Sequence, residues 1–357
     1  MRRSTLKTLT VMGAASLLLL TACAAEEEEP PTGGGEEVSE LEDEMVLGFY
    51  GGVIGDAFNE VFVQNCSDSL GIEIIYEQDF DGPRLTKMQA GATDIDVAIF
   101  TDPIMPEVRA ANLTTPLSVE DIPNYESVPD AFKSEDSVPV SIAVWGITYD
   151  SAAVDPAPTS WLDLLEEEYA GQVTASAITY NSSYLTLAAF SQIGGGDLLS
   201  NPEPGFELMS QLRENSASFW SSSSDMLQQL QAGSIVMSPY ASGSTALAAK
   251  DPGGENIAFA APEEGAYPVG FNMVISPDAQ SPNAAAAFVN CVLDAENQSQ
   301  WVELYPSFPV NSNAEIPESA MEWLGGVEQV SDLETVDWEA IAEVNEEIVN
   351  TWQREIG

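Results

Sequence analysis

Val138-Pro139-Val140-Ser141-Ile142-Ala143-Val144-Trp145-Gly146-Ile147-Thr148-Tyr149-Asp150 is an apolar run rich in β-branched residues, with one Trp-Gly step inside it. That composition predicts a strand. Pro139 suits a first or edge position, because proline cannot donate to a ladder, and Gly146 marks a bend or a close backbone approach. On either side, short apolar runs alternate with helical patterns, as α/β units with parallel strands do. The stretch therefore reads as a crossover between two α/β lobes. Residues 269–276, V-G-F-N-M-V-I-S, have the same make-up and would carry the chain back. Two crossovers between two lobes imply a hinge with a cleft, and clefts between domains are frequent ligand sites.

Upstream of the crossover, residues 45–50 read as a strand, Gly51-Gly52 as a turn, and residues 53–65 as a helix with Ala57, Phe58, Val61 and Phe62 at helical spacing. Further strands are expected at 72–76 and 94–100, with a short helix at 83–90 between them. Ligands in open α/β sheets lie beyond the carboxyl ends of strands, which makes Tyr50, Gly51, Phe80, Asp81, Thr101 and Asp102 site candidates. Downstream, a strand at 173–178 runs into Asn181-Ser182-Ser183-Tyr184 at the start of a helix, where free N–H groups and hydroxyls can meet a ligand. A strand at 235–237 leads to Tyr240, Ser242, Gly243 and Ser244, and residues 257–260 form the last strand before the return. Residues 282–293 form an alanine-rich helix, and 297–305 another. The segment 337–352 places Trp338, Ile341, Val344, Ile348 and Trp352 on one face, so it should pack by that face, against a lobe the pattern does not name.

The N-terminus sets Arg2, Arg3 and Lys7 before an uncharged run with four consecutive leucines, then Thr21, Ala22 and Cys23. This is a signal peptide, residues 1–22, too short in its apolar part to span a bilayer comfortably. Leu20-Thr21-Ala22-Cys23 resembles the lipobox of bacterial lipoproteins, in which the cysteine becomes a lipidated N-terminus; the alternative is an ordinary signal with a coincidental cysteine. Residues 23–44 are rich in Glu, Gly and Pro and read as a disordered tether, with a coil reach of about 25 Å. The chain holds 10 basic and 58 acidic residues in 357, a formal charge of −48, and loss of the signal would leave −51. Such a balance argues against nucleic acid and anionic membrane surfaces as partners. It either steers a cationic solute or marks a heavily hydrated acidic surface.

No histidine is present, which removes Ser-His-Asp and Cys-His catalysis and histidine metal sites; no cofactor, metal or catalytic residue is expected. No nucleotide-binding glycine motif occurs, and no carboxylate pair stands out for glycoside chemistry. Cys66 and Cys291 remain as an even pair in an exported chain, either bridged or as two buried thiols. Trp145, Tyr184, Trp220, Tyr240 and Phe271 join Tyr50 and Phe80 near strand ends. Together they suit a small cationic or amphipathic ligand held by ring faces and hydroxyls.

From about residue 45 to 313 the chain resembles extracytoplasmic solute-binding proteins of ABC importers, in the spermidine/putrescine-binding branch. The resemblance rests on Tyr50-Gly51-Gly52, Lys87-Met88-Gln89-Ala90-Gly91, Asp96-Val97-Ala98-Ile99 with Thr101-Asp102, and Trp145-Gly146-Ile147-Thr148-Tyr149. It continues through Pro158-Thr159-Ser160-Trp161, Phe219-Trp220-Ser221, Ser242-Gly243 and Phe271-Asn272-Met273. It implies a two-lobed periplasmic-binding-protein fold, α/β in class, each lobe a mostly parallel sheet flanked by helices, hinged by two crossover strands. The lobes would be 45–146 with 270–313, and 147–269, leaving 314–357 as C-terminal helices. The implied function is capture of a small polar or amine-bearing solute between the lobes, with delivery to ABC permease subunits. The protein would act as a monomer held by lipid on the outer face of the bacterial cytoplasmic membrane, or in the periplasm. The rival reading is a lipid-anchored receptor or accessory subunit of a sensor. Polyamine binders of this branch usually carry acids where this chain has Ser244 and Phe271, so a polyamine would rely on Asp81, Asp102 or others. The adjacent tyrosines of ferric-ion relatives are missing.

Overall fold

The computed structural model describes residues 41–180 and 182–357. The signal segment, Cys23 with its expected lipid, the tether up to residue 40, and Asn181 lie outside the described residues. Among the described residues eight strands make one sheet: β1 (Glu44–Phe49), β2 (Glu73–Gln78), β3 (Val97–Thr101), β4 (Val138–Asp150), β5 (Met237–Ala241), β6 (Ile257–Ala260), β7 (Tyr267–Ile275) and β8 (Phe308–Pro309). Their order is β2-β1-β3-β7-β4-β5, with β6 and β8 also paired to β4.

The strand read as a crossover is the longest in the sheet, thirteen residues, and joins its two sides. At its start Val138 and Pro139 pair with Met273 and Asn272 of β7, whose other edge carries β3. After an irregularity between Pro139 and Ile142, the rest of β4 pairs with Gly270 to Tyr267 of β7, then with β5 and β6. β7 is the return crossover. β8 adds a third short segment at Ser141 and Ile142, where the register shifts. Gly146 sits where a Cβ would lie 2.5 Å from the Ala260 carbonyl oxygen, so the close approach read from Trp-Gly is between β4 and β6.

The expectation of mostly parallel pairing needs correction. β1 pairs in parallel with β2 and β3, but both crossovers, β5 and β6 pair antiparallel. Apolar runs report burial, not strand direction. The segment 173–178 makes only isolated bridges, Val173 with Ser216 and Met237, and Ser176 with Trp220.

Among the described residues the α-helices are α1 (Gly52–Phe58), α2 (Gln64–Leu70), α3 (Asp81–Gln89), α4 (Met105–Ala110), α5 (Ser183–Ile193), α6 (Glu203–Asn215), α7 (Ser223–Gln231), α8 (Ser242–Lys250), α9 (Pro282–Val292), α10 (Ala295–Leu304), α11 (Glu318–Met321) and α12 (Trp338–Glu355). α1 runs through a π turn into α2, which Gly71 ends in the left-handed conformation. Cys66 and Cys291 form a disulfide that ties α2 to α9, 225 residues apart. The expected tether overlaps the folded body: β1 begins at Glu44, and Glu42 accepts the Ala284 N–H at 2.7 Å and Asn283 Nδ2 at 2.9 Å. A carboxylate is well placed there, because the first turn of α9 has N–H groups without helical partners.

α12 packs by the face the sequence indicated, burying Ile341, Ile348 and Trp352. It touches both sides of the sheet. Glu339 meets Arg109 of α4 at 2.8 Å, while Asn345 accepts the Tyr184 hydroxyl of α5 and Trp352 lies 5.8 Å from Phe219.

Candidate functional site

β1 and β3 run side by side in parallel, and Thr101, which ends β3, pairs with Phe271 of β7. Tyr50 follows β1; its ring stands edge-on to Phe80 at 5.8 Å and to Phe271 of β7 at 5.9 Å. Its carbonyl accepts the Tyr76 hydroxyl at 2.6 Å, which fixes the turn into Gly51 and α1. Phe80 is 72% exposed, the most open large apolar side chain of the described residues. Thr101 closes β3 opposite Phe271, and its hydroxyl and N–H both donate to Asp81 at the start of α3. Phe271 continues the ring path to Tyr305 at 6.5 Å.

The other wall comes from the second side of the sheet. Tyr180 lies 4.5 Å from Trp220, edge to face, and Trp220 lies 5.9 Å from Tyr240 of β5. Trp220 is held by its Nε1–H to Ser238 at 2.9 Å and by backbone bonds to Ala175 and Ala177. The Tyr240 hydroxyl faces Ser223, Ser244 and Tyr180. Ser244, in the first turn of α8, stands 3.3 Å from the Tyr305 hydroxyl. Gly243 lets this turn approach: a Cβ there would sit 2.4 Å from the Tyr305 ring, whose other neighbour is the stacked Trp301 at 4.9 Å. Phe80, Tyr50, Phe271 and Tyr305 thus form one run of rings, Tyr240, Trp220 and Tyr180 a second, and Ser244, which faces both the Tyr305 and the Tyr240 hydroxyls, joins them.

The hydroxyls of this girdle stay protonated at neutral pH. Burial first, then the Asp81 charge, pushes the Tyr50 hydroxyl well above the ordinary tyrosine range, against the opposing pull of Arg84. Burial likewise raises Tyr180, Tyr240 and Tyr305. Neutral hydroxyls both donate and accept, and ring faces take C–H groups or cations. Such groups hold a solute; they offer no base at neutral pH.

Of the residues singled out in the sequence, Tyr50, Asp81, Thr101, Trp220, Tyr240, Ser244 and Phe271 come together here, with Gly51 capping α1 beside Tyr50. Trp145 lies behind them, 1% exposed, with its ring 6.2 Å from Tyr240 and its Nε1–H on Thr186. Ser242 is fully buried; it accepts the Val144 N–H and donates to the Pro306 carbonyl, so it braces β4 rather than facing a ligand. Tyr184 turns the other way, its ring beside Trp338 and its hydroxyl, pushed up to about 12 by burial, on Asn345. Ser182 is buried before α5 without a side-chain capping bond. Asp102 accepts the Gly270 N–H at 2.7 Å and Asn272 Nδ2 at 2.6 Å, and lines a separate cavity of about 420 Å³ with Met105, Arg109, Trp338 and Glu339. Burial raises its pKa, with hydrogen bonds from Asn272 and Gly270 opposing. Tyr180 and Tyr305 were not among the site residues read from the sequence. Tyr180 follows an apolar run and could have been found by the strand-end rule; Tyr305 ends a helix and carries no local signal.

The family model of bacterial extracellular solute-binding proteins matches residues 56–323. The chain belongs to this family. No curated protein matches it. Among solved structures, this solute-binding protein is similar to an ABC transporter substrate-binding protein from Bradyrhizobium japonicum, with a TM-score of 0.76 at 19% identity, over 88% of this chain and 100% of that one. It is also similar to an ABC transporter protein from Clostridium perfringens (TM-score 0.72, 22% identity, 88% and 100% covered). The spermidine/putrescine substrate-binding protein PotD from Streptococcus pneumoniae gives 0.71 at 22% identity, with the same coverage. At these identities the likeness establishes the α/β fold alone.

Proposed function

We propose that this protein is the solute-capturing component of an ABC-type importer, and that its aromatic girdle is the capture site. One observation carries the reading: Tyr50 and Phe271 from the first side reach Tyr305, and Tyr180, Trp220 and Tyr240 from the second reach Ser244, whose hydroxyl stands 3.3 Å from that of Tyr305. A solute between these walls binds both at once, so it binds a closed form more tightly than an open one, which is what drives closure. β4 and β7 are the hinge, with the β4 irregularity as the place of bending. The lobes are 45–146 with 270–313, and 147–269, and α12 spans both. No chemistry on the solute is involved. The cargo is a small polar organic solute, and the closed monomer delivers it to permease subunits in the membrane.

Export by the signal segment and lipidation of Cys23 would hold the body at the outer face of the cytoplasmic membrane. No helix among the described residues is long and apolar enough to cross a membrane itself. The test is a thermal-shift screen of the chain against amines, amino acids, sugars, polyols and organic acids. A native-state ligand stabilises the fold by about 2.7 kcal/mol at a hundredfold excess over Kd, and so raises the melting temperature further as its concentration rises. The shift is expected to disappear in Tyr180→Ala while the unliganded melting temperature changes little, since Tyr180 is only partly buried. A solute that stabilises both proteins equally would place its site elsewhere.

A further inference from the structure

Arg84 is fully buried, on α3 directly behind the first wall. A buried cation costs far more than an exposed one unless it is paired and hydrogen-bonded. Here its guanidinium donates to the Asp81 carboxylate at 3.3 Å and to the carbonyls of Ile99 and Asp79. The rings of Tyr50 and Phe100 flank it at 5.4 and 5.3 Å. β1 leaves room for its stem: a Cβ on Gly48 would lie 3.1 Å from Arg84 Cδ. The fold therefore builds a place for this one positive charge immediately beneath the girdle.

Asp81 is correspondingly occupied. It is 4% exposed, and it takes the Arg84 guanidinium on one oxygen and the Thr101 hydroxyl and N–H on the other, with the Tyr50 hydroxyl against it. An ammonium group entering the cleft would meet a carboxylate whose lone pairs are used and whose charge is cancelled from behind. The second carboxylate of the region, Asp102, has one oxygen bonded to the Gly270 N–H and the other to Asn272, and it lines a different cavity, with Arg109, Asp337 and Glu339. What remains in the girdle is uncharged: tyrosine and serine hydroxyls, and ring faces.

We infer that Arg84 determines the charge class of the cargo: by neutralising Asp81 it turns the cleft away from polyammonium solutes and toward an uncharged, hydroxyl- or carbonyl-bearing solute with a face to stack on rings. This rests on the girdle being the capture site. The experiment uses spermidine and putrescine as probes on the full chain in 150 mM salt, which screens attraction to the acidic surface beyond about 8 Å. Calorimetry and thermal shift should show no saturable binding to the wild type. Arg84→Met should gain at least tenfold in spermidine affinity, and Asp81→Asn added to it should abolish the gain. Saturable wild-type binding that is lost in Asp81→Asn overturns the inference, as does a folded Arg84→Met protein with no gain. If Arg84→Met does not fold, the wild-type titration decides alone. A gain that survives Tyr180→Ala would show that the new site lies outside the girdle, overturning the capture-site reading on which the inference stands.

Discussion

At the scale of single residues, the structure separates groups that touch the girdle from groups that brace it, and burial with hydrogen bonding draws the line. Ser242 and Trp145 are spent inside, whereas Ser244, two positions along, reaches Tyr305. Asp136 shows how a bracing carboxylate couples stability to pH. Burial works to raise its pKa, but Arg109, Ser134 and Thr114 together outweigh this and hold it below the ordinary value. A depressed carboxylate contributes stability above its unfolded pKa of about 3.9 and loses it as pH falls through the folded value. Asp136→Asn should therefore cost about 1–2 kcal/mol at pH 7, modest because solvent reaches and screens the Arg109 pair, and almost nothing near pH 2. Urea melts at the two pH values check this; an equal loss at both would contradict it. Part of the site was legible in the sequence because Tyr50, Tyr240 and Phe271 stand at strand ends or on a crossover, where topology alone brings residues to a cleft. Tyr305 was not, because it meets Ser244 across 61 residues. Arg84 was not either: on a short helix a buried cation looks like any solvated one until its partners are in place.

At the scale of elements, β4 was readable because thirteen residues buried along almost their whole length leave no alternation and no polar face, so the run must cross the middle of something. Strand direction was not readable, since the side chains of a strand buried on both faces are the same whichever way its neighbours run. The segment 173–178 misled for a related reason: it is buried at Val173 to Ser176, yet it meets neighbours one residue at a time. The two cysteines left bridge and free thiols equally open, because their sequence separation says nothing about distance. With α2 and α9 packed together their Cα atoms lie 5.9 Å apart, within bridging range. The bridge closes a loop of more than two hundred residues, so it constrains the unfolded chain strongly. Removing it as Cys66→Ser with Cys291→Ser should cost about 2–4 kcal/mol, seen as a lower urea midpoint with a steeper slope, because the unlinked denatured chain exposes more surface. An unchanged midpoint would mean that the bridge contributes nothing to the folded state's advantage.

At the scale of the whole molecule, the two proposed lobes, joined by the continuous strands β4 and β7, can part only by bending those strands. The two walls touch in this structure where the first turn of α8 meets Tyr305, through the Ser244 hydroxyl at 3.3 Å and the close approach of Gly243. α12 adds a second link between the walls, polar toward Arg109 and aromatic toward Phe219. The central claim is that solute and closure are one event. The measurement that tests it is the distance between spin labels on cysteines placed at exposed Val119 and Leu199, one on each lobe, in a Cys23→Ser chain, with and without a solute that raises the melting temperature. The account predicts a broad or longer distance distribution in the free protein that collapses, on saturation, to the single distance of this structure. An unchanged distribution at saturating solute would contradict it.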